Sequence, residues 1–266
     1  MIPAAFRYAR AGSLEHAMEL LAEPDAKVIA GGQSLIPVMR LRIARPSLVV
    51  DISHLELRGV GAHGDEIHLG PLATWDELLE APELQRPALK AMAECARGIG
   101  DLQVRNRGTV GGSLAHADPA SDMPAVLLAL GATLQLRSPE GERTVPLTDF
   151  LLGPFTTALG PQELITRIVV PVPAPGSGSA YVSVEHPASG FALAGAAAVV
   201  GPEGTRVAVT GVGARPVLLG DDPEAALDEV EIFGDRFASA EYRRELAAVV
   251  VRRASESAAE RAGEDS

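Results

Sequence analysis

The sequence predicts an α+β fold. Two αβ units, residues 1–52 and 53–173, precede a smaller α/β unit at 178–262, with a three-stranded sheet and a long terminal helix; 263–266 reads as a frayed tail. Three observations predict this. Short apolar runs alternate with helical repeats through the first two thirds of the chain. Pro171 to Ser179, PVPAPGSGS, has linker composition. Beyond it, three apolar runs separated by turn residues lead into an unbroken helical repeat.

In the first unit, Ser13 caps a helix in which Leu14, Ala17, Met18, Leu20 and Leu21 recur at helical spacing. Lys27 to Ile29 reads as a buried strand. Ala30-Gly31-Gly32-Gln33-Ser34 follows, then a short helix from Leu35 to Arg42, with Ser34 as N-cap and Pro37 in its first turn. Leu48 to Ile52 reads as another buried strand. Arg40 and Arg42 are a solvated helix face, or they meet a phosphate or a partner subunit.

In the second unit, Ile67 to Leu69 is a short strand and Thr74-Trp75-Asp76-Glu77 a capping box. Pro87 to Arg97 is a helix. Arg105 to Asp122, RNRGTVGGSLAHADPASD, is too rich in Gly, Ser, Asp and Pro for an ordinary core element and reads as a loop. Ser121 or Asp122 then caps a helix, Pro124 to Leu130. Thr133 to Arg137 and Arg143 to Leu147 form a hairpin, and Glu163 to Val170 a strand. In the smaller unit, Tyr181 to Val184, Phe191 to Val200 and Arg206 to Gly213 are strands. The second carries five alanines, but the turn after it favours strand over helix. The terminal helix runs from Ala240 to Arg261 and buries Tyr242, Leu246, Val249 and Val250.

Composition narrows the function. The 266 residues are 47% hydrophobic, enough for a proper core. Net charge is −12, from 23 basic and 35 acidic residues. That opposes binding to nucleic acid and to anionic membrane surfaces. The one cysteine, Cys95, excludes an intrachain disulfide and a cysteine-held cluster, and lies in an apolar helical run as a core residue. No apolar stretch is long enough to span a bilayer and the first residues lack a signal-peptide pattern, so a cytoplasmic protein is expected. Six histidines show no metal spacing, and no acid–base pair stands out, so neither catalytic nor metal-ligating residues are assigned. His116, inside the long loop, is expected to be a hydrogen-bonded structural residue.

The chemistry concentrates in the two glycine pairs. A strand, a Gly-Gly turn and a helix N-terminus offer N–H groups and a positive dipole end to an anion. Free N–H groups of a glycine turn form an anion-binding concavity. Two such turns suit a diphosphate. Neither matches the dinucleotide or phosphate-loop fingerprints, so these residues alone leave FAD, NAD, coenzyme A and nucleotides open. Asp118 and Asp122 are expected to order the second loop by accepting from backbone N–H groups.

Ala30 to Leu35, Met39 to Arg42, Pro46 and Asp51-Ile52, and above all Arg105 to Ser113 with Ala117-Asp118-Pro119 and Asp122, resemble the FAD-binding medium subunit of molybdenum hydroxylases. That group holds the aerobic carbon monoxide dehydrogenases and the xanthine dehydrogenases, and the chain is most like the former. Phe191-Ala192 and the Tyr242-Arg243 helix extend the resemblance over nearly the whole chain. It implies a two-part FAD-binding domain of the vanillyl-alcohol-oxidase-like (PCMH) type at 1–173, followed by a C-terminal flavoprotein domain. It implies cofactor contacts from Ala30, Gly31, Gly32, Gln33, Ser34, Leu35, Thr109, Val110, Gly111, Gly112, Ser113, Ala117, Asp118 and Asp122. Backbone N–H groups of Gly31 to Ser34 and Thr109 to Ser113 would hold the diphosphate, aided by the Ser34, Thr109 and Ser113 hydroxyls. By the same resemblance Ile165 packs against the isoalloxazine; from the residues alone it is a core side chain. Asp122 is equally well a plain helix cap.

The resemblance further implies an electron-transfer role. Electrons pass from [2Fe-2S] clusters on a small iron–sulfur subunit, fed by a large molybdopterin subunit, through FAD to an external acceptor, in a dimer of heterotrimers. The chain departs from the pattern at Glu185-His186-Pro187-Ala188-Ser189-Gly190, where many relatives carry an Arg-Arg pair. A stand-alone FAD-dependent NAD(P)H reductase and a flavin-free assembly module of the same fold remain as alternatives.

Overall fold

The structure, a computed structural model, describes residues 2–220 and 222–263. It mixes helices and sheets as expected. In the first unit, β1 (Arg7–Arg10) and β2 (Lys27–Ile29) pair parallel on either side of β3 (Leu48–Asp51). The Ser13 hydroxyl accepts from the His16 N–H and starts α1 (Leu14–Leu20). α2 (Leu35–Arg40) follows the first glycine pair and is shorter than predicted, because Arg42 turns the chain at φ 59°.

Ser34 does not cap α2 as predicted. Its backbone is already helical (φ −102°, ψ −49°) and its side chain makes no capping bond. A capping hydroxyl needs the N–H of the second or third helical residue. Here the third is Pro37, which has none, and the second, Ile36, donates to the Gly32 carbonyl at 3.1 Å.

The second unit is a five-stranded antiparallel sheet in the order β4-β5-β10-β6-β7, built from β4 (Val60–His63), β5 (Glu66–Leu69), β6 (Thr133–Ser138), β7 (Gly141–Pro146) and β10 (Leu164–Pro171). Between β5 and β6 the chain forms α3 (Trp75–Glu80), α4 (Lys90–Gly98), α5 (Leu102–Arg105), α6 (Val110–His116) and α7 (Met123–Leu130). α8 (Leu147–Phe150) leads into a small hairpin, β8 (Leu151–Gly153) and β9 (Thr156–Thr157). The capping box is present in full: Thr74 accepts from the Glu77 N–H, and Glu77 accepts from the Thr74 N–H.

The stretch expected to be a loop, residues 105 to 122, holds a helix instead. Thr109 caps α6 by accepting from the Gly112 N–H at 3.2 Å, and Val110, Gly111 and Leu114 are buried. The glycines are there for close packing: a Cβ on Gly111 would sit 2.5 Å from the Pro71 side chain and 2.7 Å from its carbonyl.

The smaller unit is an antiparallel sheet of β11 (Gly178–Glu185), β12 (Ala192–Gly201), β13 (Gly204–Thr210) and the two-residue β14 (Val217–Leu218), so it has four strands rather than three. The alanine-rich β12 is a strand, as predicted. α9 (Pro223–Glu229) and α10 (Ala240–Ala262) follow. α10 buries Arg243, Ala247, Val250, Val251, Ala254 and Ala258, while Tyr242, expected inside, is 48% exposed. The sheet comes too close for large side chains: a Cβ on Gly178 would lie 2.2 Å from the Ala258 carbonyl. Of the expected frayed tail, only Gly263 lies within the described residues.

The expected linker is shorter than read: residues 172–177 connect two strands. Pro171 ends β10, and Gly178 and Ser179 open β11. The buried Ser179 hydroxyl accepts from the Ala91 N–H of α4 at 3.0 Å. One apolar core runs through both units. All eight residues of α7 are buried, and its cluster takes Leu134 and Ile168 from the five-stranded sheet with Ala197, Val199 and Ala208 from the other.

Candidate functional site

The first glycine pair meets the stretch that leads into the second. A Cβ on Gly31 would lie 1.8 Å from the Arg107 carbonyl oxygen, so the first loop rests directly on the backbone leading into α6. Ala30, Gly31 and Thr109 line a narrow cleft together with Ser53, Arg58, Leu72 and Arg107. The contact depends on long-range stitching. The Val110 and Gly111 N–H groups donate to the carbonyls of Ala73 and Pro71 at 3.0 and 2.9 Å, and Thr74 bridges Thr109.

The loops differ in what they have left to offer. From Gly31 to Leu35, five successive backbone N–H groups have no acceptor among the described residues. The Gly32 turn (φ 76°) and the uncapped start of α2 leave that row open. In the second loop the expected donors are largely spent. Val110 and Gly111 hold residues 71–73, Gly112 serves the Thr109 cap, and Ser113 donates to the Thr109 carbonyl. Only the Thr109 N–H has no acceptor among the described residues. The symmetric arrangement of two donor loops is therefore corrected to one donor row with a buttress beneath it.

The remaining predicted residues divide. Gln33 is exposed, and its side-chain amide lies 3.5 Å from the Gly31 carbonyl. Ala117 ends α6 in the left-handed conformation (φ 50°) and accepts from the Phe155 N–H at 2.8 Å. Asp118 does order its turn, accepting from the Ala120 N–H at 2.9 Å. Ile165 is buried on β10 opposite Leu136, in the same core as Val110 and Ala117. His116 packs its ring against Phe155, with centroids 5.1 Å apart.

Asp122, for which a cofactor contact and a helix cap stand as alternatives, makes no side-chain capping bond. It stands at the start of α7 with a helical backbone. Its carboxylate instead accepts a hydrogen bond from the Tyr181 hydroxyl of β11. Burial pushes the Asp122 carboxyl up to about 6; the Tyr181 bond opposes that rise, and the negative charges of Glu185 and Asp118 add to it. Burial, followed by the Asp122 charge, pushes the Tyr181 hydroxyl well above the usual range. Burial does the same to the Cys95 thiol, so this cysteine is an inert core residue.

Arg58 and Ser53 line the cleft although no motif marks them. Arg58 and Ser53 reach the cleft only because β3 returns the chain to the first loop, which no local pattern signals. In the sequence Tyr181 is simply a strand residue, with nothing local to mark its bond to Asp122.

A family described as the FAD binding domain in molybdopterin dehydrogenase matches residues 4–173. The chain belongs to this family. Among its relatives, the carbon monoxide dehydrogenase medium chain of Hydrogenophaga pseudoflava is 37% identical, over 96% of this chain and 97% of its own length. The medium chain from Afipia carboxidovorans is 36% identical over 98% and 99%. The solved carbon monoxide dehydrogenase of Hydrogenophaga pseudoflava superposes with a TM-score of 0.91 at 36% identity, covering 98% and 99% of the two chains. Quinoline 2-oxidoreductase from Pseudomonas putida 86 gives 0.90 at 30% identity, over 98% and 99%. The family's fold and its FAD-binding character are thereby those of this chain.

The residues present fit the cofactor. A diphosphate needs several N–H donors, and the Gly31–Leu35 row offers five successive ones at the N-terminus of α2. Gly31 and Gly32 let this loop pack closely: a Cβ would lie 1.8 Å from the Arg107 carbonyl oxygen at the first and 2.8 Å from the Ile36 side chain at the second.

Proposed function

We propose that this chain is the FAD-carrying electron-transfer subunit of a molybdenum hydroxylase complex. It stands between the [2Fe-2S] clusters of an iron–sulfur subunit and an external acceptor, and a molybdopterin subunit performs the substrate oxidation. The observation that carries the reading is the unsatisfied donor row Gly31–Leu35 held against Arg107 and Thr109. The relatives support the complex: they bear the names of dehydrogenase medium chains, and this chain spans nearly their full length. With one buried cysteine, it must take any thiolate-held cluster from another chain. Assembly as a dimer of heterotrimers in the cytoplasm belongs to the same proposal. No helix among the described residues is long and apolar enough to cross a membrane.

When bound, FAD supplies the redox chemistry, and the protein supplies binding, orientation and electrostatics. The Gly31–Leu35 and Thr109 N–H groups bind the diphosphate. Arg58 and Arg107, at the same cleft, offset its negative charge. Ser34 and Ser113 hydroxyls add donors. Asp122, poised near neutrality by burial, can hold or release a proton at its carboxylate beside Tyr181. Ile165 offers an aliphatic surface from the core side.

The test is the visible absorption spectrum of the purified chain and of the co-expressed complex, after FAD is added and the excess removed. Flavin bands near one equivalent are expected. Colourless protein in both preparations would overturn the assignment.

A further inference from the structure

Beyond the Gly31–Leu35 donor row, α2 and the turn after it present an exposed apolar and basic surface. Ile36, Leu41 and Ile43 are 45%, 53% and 74% exposed there. They are interleaved with Arg40, Arg42 and Arg45. From Gly31 to Ser47 the sequence contains no acidic residue, although the whole chain carries −12. Among the described residues, none of the three guanidiniums has a carboxylate within ion-pair distance. Arg42 and Arg45 use their Nε only on backbone carbonyls, those of Ile2 and Arg42, at 3.2 and 3.1 Å. The basic charge is therefore concentrated on one face and left uncompensated within the chain.

We infer that this face is a docking surface for a protein partner that presents carboxylates around an apolar centre. The inference rests on the electron-transfer reading above, which makes the partner another subunit of the complex. Isoleucine and leucine form the centre of the contact and arginine its rim, the anatomy of a specific interface. Charge decides among other occupants. A second copy meeting this face symmetrically would set arginine against arginine. An anionic lipid plane would attract the arginines but would repel the acidic remainder of the molecule over about a Debye length, roughly 8 Å. A protein surface can place its carboxylates opposite the three arginines alone. Since α2 begins where the donor row ends, the docked partner lies beside the cofactor site.

The experiment is co-purification of the tagged chain with its co-expressed iron–sulfur and molybdopterin subunits, followed by a titration of affinity against salt. Arg40→Glu/Arg42→Glu/Arg45→Glu should weaken the complex roughly 100-fold, because charge reversal replaces attraction with repulsion. Leu41→Ser/Ile43→Ser, which leaves the charges intact, should weaken it with little change in salt dependence. Arg252→Glu/Arg253→Glu, on the exposed side of α10, should assemble as wild type. Far-UV circular dichroism confirms that each variant is folded.

Unchanged assembly of the triple variant would overturn the proposal. So would equal loss in the α10 control, wild-type binding to phosphatidylglycerol vesicles that the triple variant loses, or a wild-type homodimer that the triple variant breaks. If wild-type protein holds FAD yet joins neither subunit, the complex reading fails together with this one. If it joins them and the triple variant does too, only the docking surface fails.

Discussion

Gly31 is the residue on which the site turns. An added methyl there would overlap the Arg107 carbonyl at 1.8 Å, and backbone cannot swing aside as a side-chain tip can. Gly31→Ala should therefore cost about 1–3 kcal/mol by overpacking and push the donor row off its buttress. The expected result is a lower urea midpoint and a sharp fall in flavin stoichiometry. Gly111→Val should also unfold or loosen the site, but through its collision with Pro71; flavin loss in that variant reports on packing rather than on a contact.

Asp122 makes a second prediction at this scale. Its folded-state value, about 6, lies above the ordinary 3.8, so the folded chain holds this proton more tightly than the unfolded chain does. The stability this contributes is complete below about pH 4 and is lost as pH rises through about 6. The full shift is worth on the order of 2–3 kcal/mol, less for a half-buried group. Asp122→Asn has no proton to lose and can still accept from Tyr181. The stability of wild type relative to this variant should fall between pH 4 and 7 by about 1–2 kcal/mol in denaturant titrations. A constant difference across that range would remove Asp122 from the buried groups.

At the scale of elements, helix α6 shows what capping does. Thr109 holds the Gly112 N–H and also sits opposite Thr74 in the bridge that ties the start of α6 to residues 71–74. Thr109→Ala should cost about 1 kcal/mol, and Thr109→Ser much less, because the capping oxygen survives. The same helix shows where the sequence was legible and where it was not. Strands with local apolar runs, Lys27–Ile29 and Leu48–Asp51, were readable, as were the capping box at Thr74 and the hairpin after Thr133. α6 was not, because Gly111 and Gly112 look like loop residues until Pro71 and Thr109 are seen pressed against them. β1 escaped because RYAR has no apolar alternation; its pairing with Leu48–Asp51, some 40 residues away, supplies the order. The buried face of α10 was misjudged because hydrophobicity pointed to Tyr242, whereas the close sheet admits only alanine and valine, and an arginine that binds the Leu193 and Gly211 carbonyls. The two stretches that form the candidate site are legible as motifs. Which of their N–H groups are free is not, since that depends on carbonyls contributed by Pro71 and Ala73.

At the scale of the molecule, the smaller unit is fastened to the rest rather than appended. Its sheet lends Ala197, Val199 and Ala208 to the core around α7. Arg261, near the end of α10, pairs with Glu94 of α4 and donates to the Ser179 carbonyl, while Glu94 also accepts from the Tyr181 N–H. Tyr181 is thus fixed at both its backbone and its hydroxyl, and through it Asp122 is tied to the smaller unit. Residues 53–262 should for that reason unfold as one cooperative body. A fragment ending at residue 173 would uncover one side of α7, whose eight residues are all buried in the whole chain. It should aggregate or bind an apolar dye, and it should lose flavin although both glycine motifs are intact. A milder probe is Glu94→Gln, which breaks the ion pair but keeps its volume. The pair is partly exposed, so the cost should be about 1 kcal/mol or less, with a single calorimetric transition retained. Two separated transitions in wild type, or a soluble, flavin-loaded 1–173 fragment, would show instead that the cofactor site stands without the smaller unit and that α7 tolerates exposure.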